Sequence, residues 1–252
     1  MPVAPVIAAD GSSVGNRMFL IDRADFEILP DWGGDRTIGL QASSSNSITV
    51  RELFVPDHRS VAYDFKAHEW GSTGTIGYQL HGNPLYLGRS LFFFYAELIS
   101  TQVGAAWAAI DEYEALLEKG TSFPPRMART RSQEYQLWYG RLLSLVETAT
   151  TILFAAADLQ TELNRRFQTE GREYTVTEDV RIRGIVLKAA ELSNEAVMLA
   201  FQTGGSSAAK RGSRMEKLAR DVLMYRTHIG AQFDALYAAG ARTVITGEPP
   251  TT

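Results

Sequence analysis

A turn of small residues in the C-terminal third has the composition of an anion site. It consists of Gly204, Gly205, Ser206 and Ser207. Glycines have no Cβ, so the backbone amides of such a turn are able to approach an anion closely. Three arginines follow and add positive charge: Arg211, Arg214 and Arg220. A plain helix–helix loop, with Gly ending one helix and Ser beginning the next, also fits. With Asp221 and His228 close by, the pattern favours a phosphate-binding turn.

The elements around this turn are predicted to be mainly helical. Helical periodicity predicts four long helices at 87–119, 132–170, 177–203 and 207–239, each ending near a glycine. Short loops between long helices favour an up-down four-helix bundle over residues 87–240, with a tail at 241–252. The bundle is apolar on several faces, as at Leu91–Tyr95, which predicts a homo-oligomer, a dimer or tetramer, formed through it.

A small, partial antiparallel β domain with its connecting loop is expected at 17–86. Strand-like runs lie at 18–21, 26–29, 36–40, 47–55 and 61–63, and the run that ends before Pro56 has the clearest alternation. Residues 1–16 are expected to be a flexible end or an orphan strand. The fold class is therefore mainly α with a small β unit.

Composition excludes several functions. The 252 residues include no cysteine, so disulfides, thiol catalysis and cysteine-ligated metals are excluded. A net charge of −4 disfavours non-specific nucleic-acid binding. The histidines at 58, 68 and 81 have no partners at ligand spacing, so no metal site is expected. No glycine-rich dinucleotide motif follows a strand. No leader is recognised, and no apolar run is expected to be long enough to cross a bilayer, the best being 149–159. A cytoplasmic protein that binds no membrane is therefore expected.

Four motifs in order resemble the acyl-CoA dehydrogenase superfamily. They are Arg17–Ile21 with Phe26–Trp32, the turn at Gly39–Ile48, Leu53–Pro56, and Ala200–Ser207 followed by Arg220, Asp221 and His228. Together they cover most of the chain from Arg17 to Gly240. The likeness is greater to the flavin-dependent monooxygenase branch, which includes 4-hydroxyphenylacetate 3-hydroxylase oxygenases and dibenzothiophene monooxygenase.

Two departures from that family are visible. The family's Thr/Ser-Gly-Ser turn is Ser43-Ser44-Ser45 here, so either the backbone avoids positive φ or Ser44 is strained. The family's N-terminal helical domain and the first half of its β domain have no counterpart. A truncated product, half of a split enzyme and a remnant with another role all remain open.

The resemblance implies a flavin site. Reduced FMN or FAD would be supplied by a separate reductase, and residues 204–207 would contact its phosphate, often across a subunit boundary. One of Arg126, Arg129 and Arg131 would reach the same phosphate, and a solvated basic loop is the alternative for the others. Trp32 and Ser45 would border the flavin, although Trp32 also fits a core position. His228 matches the histidine of the hydroxylase branch, whose imidazole is able to donate or accept a proton beside the substrate.

Three functions follow in order of preference. The first is the oxygenase component of a two-component monooxygenase that acts on a small aromatic substrate with O₂. The second is a non-catalytic or partner-completing subunit of a split enzyme. The third is an acyl-CoA dehydrogenase fragment. The third ranks last because His228 stands where those enzymes place a carboxylate base, and Glu97 is off the family's alternative position.

Overall fold

The structure is a computed structural model that describes residues 2–63, 73–122 and 124–250. The chain divides into two compact units, Met1–His68 and Glu69–Thr252. The first is a small β unit and the second is helical. The predicted fold class, mainly α with a small antiparallel β unit, is confirmed.

The N-terminal unit contains a three-stranded antiparallel sheet. Its strands are β1 (Val3–Ile7), β2 (Ser13–Phe19) and β5 (Ser60–Ala62), in the order β1-β2-β5. Val3 pairs with Met18, and Arg17 pairs with Ala62. A second sheet pairs β3 (Glu27–Ile28) with β4 (Ile48–Thr49).

The first sixteen residues, expected to be a flexible end or an orphan strand, instead form a hairpin. Asp10 closes its turn, since its Oδ1 accepts from the amide of Ser12 at 2.9 Å and from its hydroxyl at 2.6 Å. Gly11 supplies the positive φ, +84°, that the turn requires. Pro5 is tolerated because β1 is an edge strand.

The prediction of strands at 36–40 and 47–55 is wrong for most of these residues. Residues 36–40 form no strand, and only Ile48–Thr49 of the longer run pair with another strand. Leu40 and Glu52 have φ of +47° and +46°, which interrupts an extended backbone. The alternating pattern therefore predicted a strand that the local backbone does not allow.

Three long helices form the centre of the C-terminal unit. A short helix, α1 (Ile76–His81), precedes α2 (Ser90–Lys119), α3 (Gln133–Glu170) and α4 (Val176–Thr203). Between α2 and α3 lies a two-stranded pair, β6 (Thr121–Ser122) with β7 (Met127–Ala128). Helix α4 contacts both α2 and α3. Small residues such as Ala106, Ala196 and Ala200 are fully buried and allow close helix contact.

The prediction of a single fourth helix at 207–239 is wrong, because this part of the chain forms two helices. Helix α5 (Arg214–Tyr225) begins at Ser213, whose hydroxyl accepts from the amide of Glu216 at 3.2 Å. A 3₁₀ turn at 229–231 then leads into α6 (Phe233–Thr246). Helix α6 continues through Gly240, the expected end, and stops at Gly247, which has a φ of +76°.

Helix α3 is unusually apolar for its exposure. One 18-residue window has a mean hydropathy of 1.5, and only 22% of it is buried. By length and composition α3 is therefore long enough to cross a membrane, contrary to the expectation that no segment is. The expectation considered residues 149–159 alone, whereas these residues lie inside a continuous helix of 38 residues. In the structure α3 contacts α2 and α4.

Candidate functional site

The turn after α4 requires glycine at two positions for different reasons. A Cβ on Gly204 would lie 2.8 Å from the Cβ of Ala208 and 2.9 Å from the carbonyl oxygen of Ala200, so there is no space for a side chain. Gly205 has a φ of +79°, in the left-handed region that favours glycine. The plain helix–loop interpretation and the anion-binding one both use this backbone.

The turn presents unused backbone donors. Ser206 and Ser207 are exposed, and their amides donate to no acceptor within the part of the chain that the structure describes. The turn is held instead by the amide of Ala208, which donates to the carbonyl of Gly205 at 3.0 Å. Two free amides in one tight turn form a concave donor surface suited to an oxyanion.

Of the three candidate arginines, Arg129 lies beside this turn. Its Nη2 is 3.9 Å from the position of a Cβ on Gly205. Its Nη1 donates to the carbonyl of Leu116 at 3.2 Å, and its guanidinium lies 5.2 Å from the ring centroid of Tyr135. Its Nε is buried without a hydrogen-bond partner. The guanidinium is thus fixed from two sides and keeps donor capacity.

Space for this guanidinium is provided by Gly120. A Cβ there would lie 2.6 Å from three atoms of the Arg129 guanidinium. Arg126 and Arg131 are exposed, and neither makes an ion pair or side-chain hydrogen bond to any described residue. For these two the solvated-loop interpretation fits the geometry.

Two of the three arginines that follow the turn, Arg214 and Arg220, form ion pairs with carboxylates. Arg214 pairs with Glu112 at 3.3 Å, and Arg220 pairs with Glu216 one helical turn earlier. The Arg220 hydrogen bond holds the pKa of Glu216 below its usual range. Because these charges are neutralised locally, Arg129 is the better candidate for an anion contact.

His228 lies at the other end of α5 with a defined tautomer. Its Nδ1 accepts from the amide of Gly230 at 3.0 Å, so the neutral ring carries its proton on Nε2. The ring is exposed and is nearly parallel to that of Tyr225, at 10° and a centroid distance of 6.4 Å. Burial raises the pKa of Tyr225 to about 12. His228 therefore offers an N–H donor to solvent or a ligand.

The structure does not bring His228 and the glycine turn together. Helix α5 has 12 residues and separates them, which corresponds to about 18 Å at the α-helical rise. Within one copy of the chain they are two distinct sites.

Trp32 and Ser45 belong to one loop system of the N-terminal unit. The amide of Trp32 donates to Asn46 Oδ1 at 3.0 Å, and its indole Nε1 donates to the carbonyl of Leu40 at 3.0 Å. The hydroxyls of Ser43 and Ser45 are 3.0 Å apart. Ser44 has a φ of +52°, so of the two expectations for this turn the strained serine is the one observed. Asn46, which joins the two ends of the loop, was not singled out from the sequence.

No described residues form a metal cluster. Within residues 2–63, 73–122 and 124–250 there is no group of three or more His, Cys, Asp or Glu side chains placed to hold a metal ion. His58 and His81 lie in this part, whereas His68 lies outside the described residues.

A buried polar cluster between α2 and α4 was missed by the sequence analysis. Asp179 Oδ1 accepts from the amide of Phe92 at 3.1 Å and from the hydroxyl of Tyr174 at 3.2 Å. Arg89 Nε donates to the carbonyl of Tyr174 at 2.8 Å. Burial raises the pKa of Asp179 to about 6, although Arg89 and Arg183 act in the opposite direction. The sequence signal that could have indicated this cluster is the presence of charged residues on an otherwise apolar helix face.

The helical unit matches a known protein family. The family model for the acyl-CoA dehydrogenase C-terminal domain matches residues 98–233. The chain belongs to this family. The match covers most of α2, the whole of α3, α4 and α5, and both the glycine turn and His228. The resemblance inferred from the sequence is confirmed.

Two curated proteins that are similar to this chain are named as a hydroxylase and as an oxygenase subunit. A pigment production hydroxylase of a Rhodococcus species is 25% identical over 92% of this chain and 56% of its own. HsaA of Rhodococcus jostii, the oxygenase subunit of a flavin-dependent monooxygenase, is 24% identical over 89% of this chain and 56% of its own. XiaF from Streptomyces, solved in complex with FADH₂ and glycerol, is 21% identical, with a TM-score of 0.84 over 99% of this chain and 60% of its own. This chain thus spans little more than half the length of these relatives.

Proposed function

We propose that this chain forms the C-terminal part of a flavin-dependent oxygenase that uses reduced FMN or FAD and O₂ on a small aromatic substrate. The relatives named as a hydroxylase and as a monooxygenase oxygenase subunit support this chemistry. The observation that carries the proposal is the fixed Arg129 guanidinium beside Gly205 and the free amides of Ser206 and Ser207.

These residues fit the negatively charged end of a flavin nucleotide. A phosphate needs several convergent N–H donors and positive charge, and the turn supplies both within a few ångströms. Reduced flavin, once bound, activates O₂ for transfer of one oxygen atom. The chain's own task at this turn is to bind and orient the phosphate end.

His228 is the proposed catalytic residue. Its Nδ1 accepts from the amide of Gly230, which leaves Nε2–H to donate a hydrogen bond to a substrate hydroxyl and so to polarise it. Because α5, which is about 18 Å long, lies between the turn and His228, each end of α5 serves a different flavin in an oligomer. A separate reductase in the cytoplasm supplies the flavin. No nucleic acid, membrane or metal ion takes part.

Anaerobic titration of the purified chain with FMNH₂ and FADH₂, followed by calorimetry, tests this function. The intact chain should bind one of them, and Arg129→Ala should weaken its affinity about tenfold, the loss expected for one charge-assisted hydrogen bond. Arg126→Ala is the matched control and should bind as the parent does. Absence of binding to both flavins, or an equal loss in both variants, would refute the phosphate site.

A partner-completing subunit is the second candidate. The exposed apolar surface of α3, including Phe154 at 65% exposure, favours it because such a surface indicates a protein partner. In that case the chain alone binds no flavin and gains flavin binding only when co-purified with another polypeptide. An acyl-CoA dehydrogenase activity is not proposed, because His228 replaces the carboxylate base.

A further inference from the structure

A cavity lies in the helical unit, away from the residues of that unit proposed to act on flavin. It has a volume of about 580 Å³ and is bordered by the start of α2, the turn before it, α1 and the middle of α3. Its volume lies in the range of roughly 300–1,000 Å³ typical of small-molecule sites. All of its lining residues belong to the described part of the chain.

The cavity and the catalytic candidate lie on different faces of α2. Phe93 lines the cavity, whereas Leu98 lies beside Gly230 and hence beside His228. Five residues of α-helix rotate by about 140°, so these two side chains diverge strongly around the helix axis. The glycine turn and Arg129 are near the opposite end of α2, which has 30 residues and is about 45 Å long. The cavity is therefore a separate site.

The walls of this cavity are apolar and its inner end is polar. Four large apolar residues form the rim: Ile76, Leu85, Tyr86 and Phe93. At the inner end lies Gln160, which is only 7% exposed and whose Oε1 accepts no hydrogen bond from the described residues. Asn164, one turn further along α3 and 1% exposed, leaves both side-chain polar atoms without a partner.

Unsatisfied buried amide groups are costly. Each buried polar atom without a partner costs on the order of 1–3 kcal/mol, so their clustering behind an open cavity indicates that a ligand supplies the missing partners. Gly88 lets the carboxamides approach the backbone, since a Cβ there would lie 2.5 Å from Gln160 Nε2 and 3.1 Å from Asn164 Oδ1.

The electrostatics indicate an uncharged ligand. Arg89 is the cationic side chain that lines the cavity, and it is buried. Its Nε donates to the carbonyl of Tyr174 at 2.8 Å, and its Nη2 is 3.9 Å from a carboxylate oxygen of Glu173. Its charge is thus already balanced, which removes the main reason for an anion to bind.

We propose that this cavity is a binding site for a neutral, planar aromatic molecule that carries one hydroxyl or N–H donor. The ring packs between Phe93, Tyr86 and the aliphatic rim, and its donor hydrogen-bonds to Gln160 Oε1. The site is not the flavin site and does not include the oxygen-transfer centre, so it is a second ligand site on the same chain.

The test compares two probes, one with a hydroxyl donor and one in which that hydroxyl is methylated. We expect 2-naphthol to bind the purified full chain by ligand-observed NMR and calorimetry, and 2-methoxynaphthalene to bind about tenfold more weakly, because one hydrogen bond is lost. Gln160→Leu should abolish this preference while the chain keeps its fold by circular dichroism. Gln168→Leu, an exposed position on the same helix, is the control and should keep it.

A second pair of variants guards against misfolding of the first. Gly88→Ala displaces Gln160 and should weaken 2-naphthol binding, whereas Gly104→Ala, where a Cβ meets nothing within 4 Å, should not. His228→Ala and Arg129→Ala should bind the probe as the parent does, which keeps this result independent of the proposed oxygenase function. Equal binding of both probes, no binding of either, or loss of binding in His228→Ala rather than in Gln160→Leu would overturn the proposal.

Discussion

Ser44 occupies a backbone conformation that suits glycine. Its φ of +52° places it in the left-handed region at the end of a 3₁₀ turn, where an L side chain costs roughly 1–2 kcal/mol. The acyl-CoA dehydrogenase resemblance places a glycine at this position. The loop that carries Trp32 and Ser45 therefore contains local strain.

Replacing Ser44 by glycine should relieve that strain. We expect Ser44→Gly to stabilise the loop by roughly 0.5–1 kcal/mol, which is less than the full strain because the greater entropy of glycine in the unfolded chain opposes the gain. Hydrogen exchange of residues 31–47 should become slower. Ser43→Gly, at a neighbouring position without positive φ, should make exchange faster. Identical effects of the two substitutions would show that the φ of Ser44 is not the cause.

Asp179 makes stability depend on pH. Its pKa is about 6 in the folded protein against an ordinary value of 3.8, so the folded state binds more protons than the unfolded state between these values. The free energy of unfolding should therefore fall as pH rises from about 4 to about 6, by on the order of 3 kcal/mol from this residue.

Asp179→Asn should remove this contribution. The amide oxygen still accepts from Phe92 and Tyr174 but does not titrate, so the variant should show a flatter pH profile in urea unfolding between pH 4 and 6. Asp158→Asn, on the exposed side of α3, is the control and should follow the parent. An unchanged slope in Asp179→Asn would contradict the raised pKa.

At the scale of elements, the position of Arg129 depends on Gly120 at the end of α2. Gly120 has a φ of −118°, which alanine also adopts, so a substitution there tests space rather than backbone conformation. We expect Gly120→Ala to displace the guanidinium and to weaken reduced-flavin affinity about tenfold, as loss of one charge-assisted contact would.

Gly140→Ala is the matched control for this prediction. Position 140 lies inside α3, and a Cβ there meets nothing within 4 Å. The control should gain about 0.5–1 kcal/mol of helix stability and keep its flavin affinity. If both variants bind flavin equally well, Arg129 is not the phosphate contact.

The helices were predictable where several signals agreed. The ends of α2, α3 and α4 at Lys119, Glu170 and Thr203 were predicted correctly, because a long apolar period stops at a glycine in each case. The break between α5 and α6 was not predictable in this way. The turn at this break depends on a single cap residue, His228, and the start of α5 depends on another, Ser213, inside a sequence whose period remains helical.

The short strands and the choice among the arginines depend on tertiary detail. Positive φ at Leu40 and Glu52 is invisible in the sequence, since neither residue type favours it. Arg126, Arg129 and Arg131 are equivalent in composition, and only the space above Gly120 and the ring of Tyr135 distinguish Arg129. Likewise, the carboxamides of Gln160 and Asn164 could not be identified as candidate ligand contacts from the sequence, because only the structure shows that they are buried.

At the scale of the whole molecule, the apolar surface of α3 predicts association. Phe154 is 65% exposed on a helix whose most hydrophobic window is largely unburied. Contiguous exposed apolar surface of this kind is typical of protein interfaces. Two copies of the chain would also allow the glycine turn of one and His228 of another to serve the same flavin.

Phe154→Glu should disrupt that association. A charge buried in an apolar interface costs several kcal/mol, so the dissociation constant should rise at least about a hundredfold. Sedimentation velocity at micromolar concentration should show a shift to the single chain. Gln168→Glu, also exposed on α3, should sediment as the parent does. A parent chain that is already monomeric would contradict the predicted oligomer.

The break in the fourth helix has a mechanical consequence. It leaves α5 as a short, separate helix, with the glycine turn near its start and His228 just after its end. A helix of this length transmits displacement along its axis with little bending. Binding of an anion at the glycine turn should therefore change the rate of amide hydrogen exchange at residues 226–231. The two sites would then be coupled through α5.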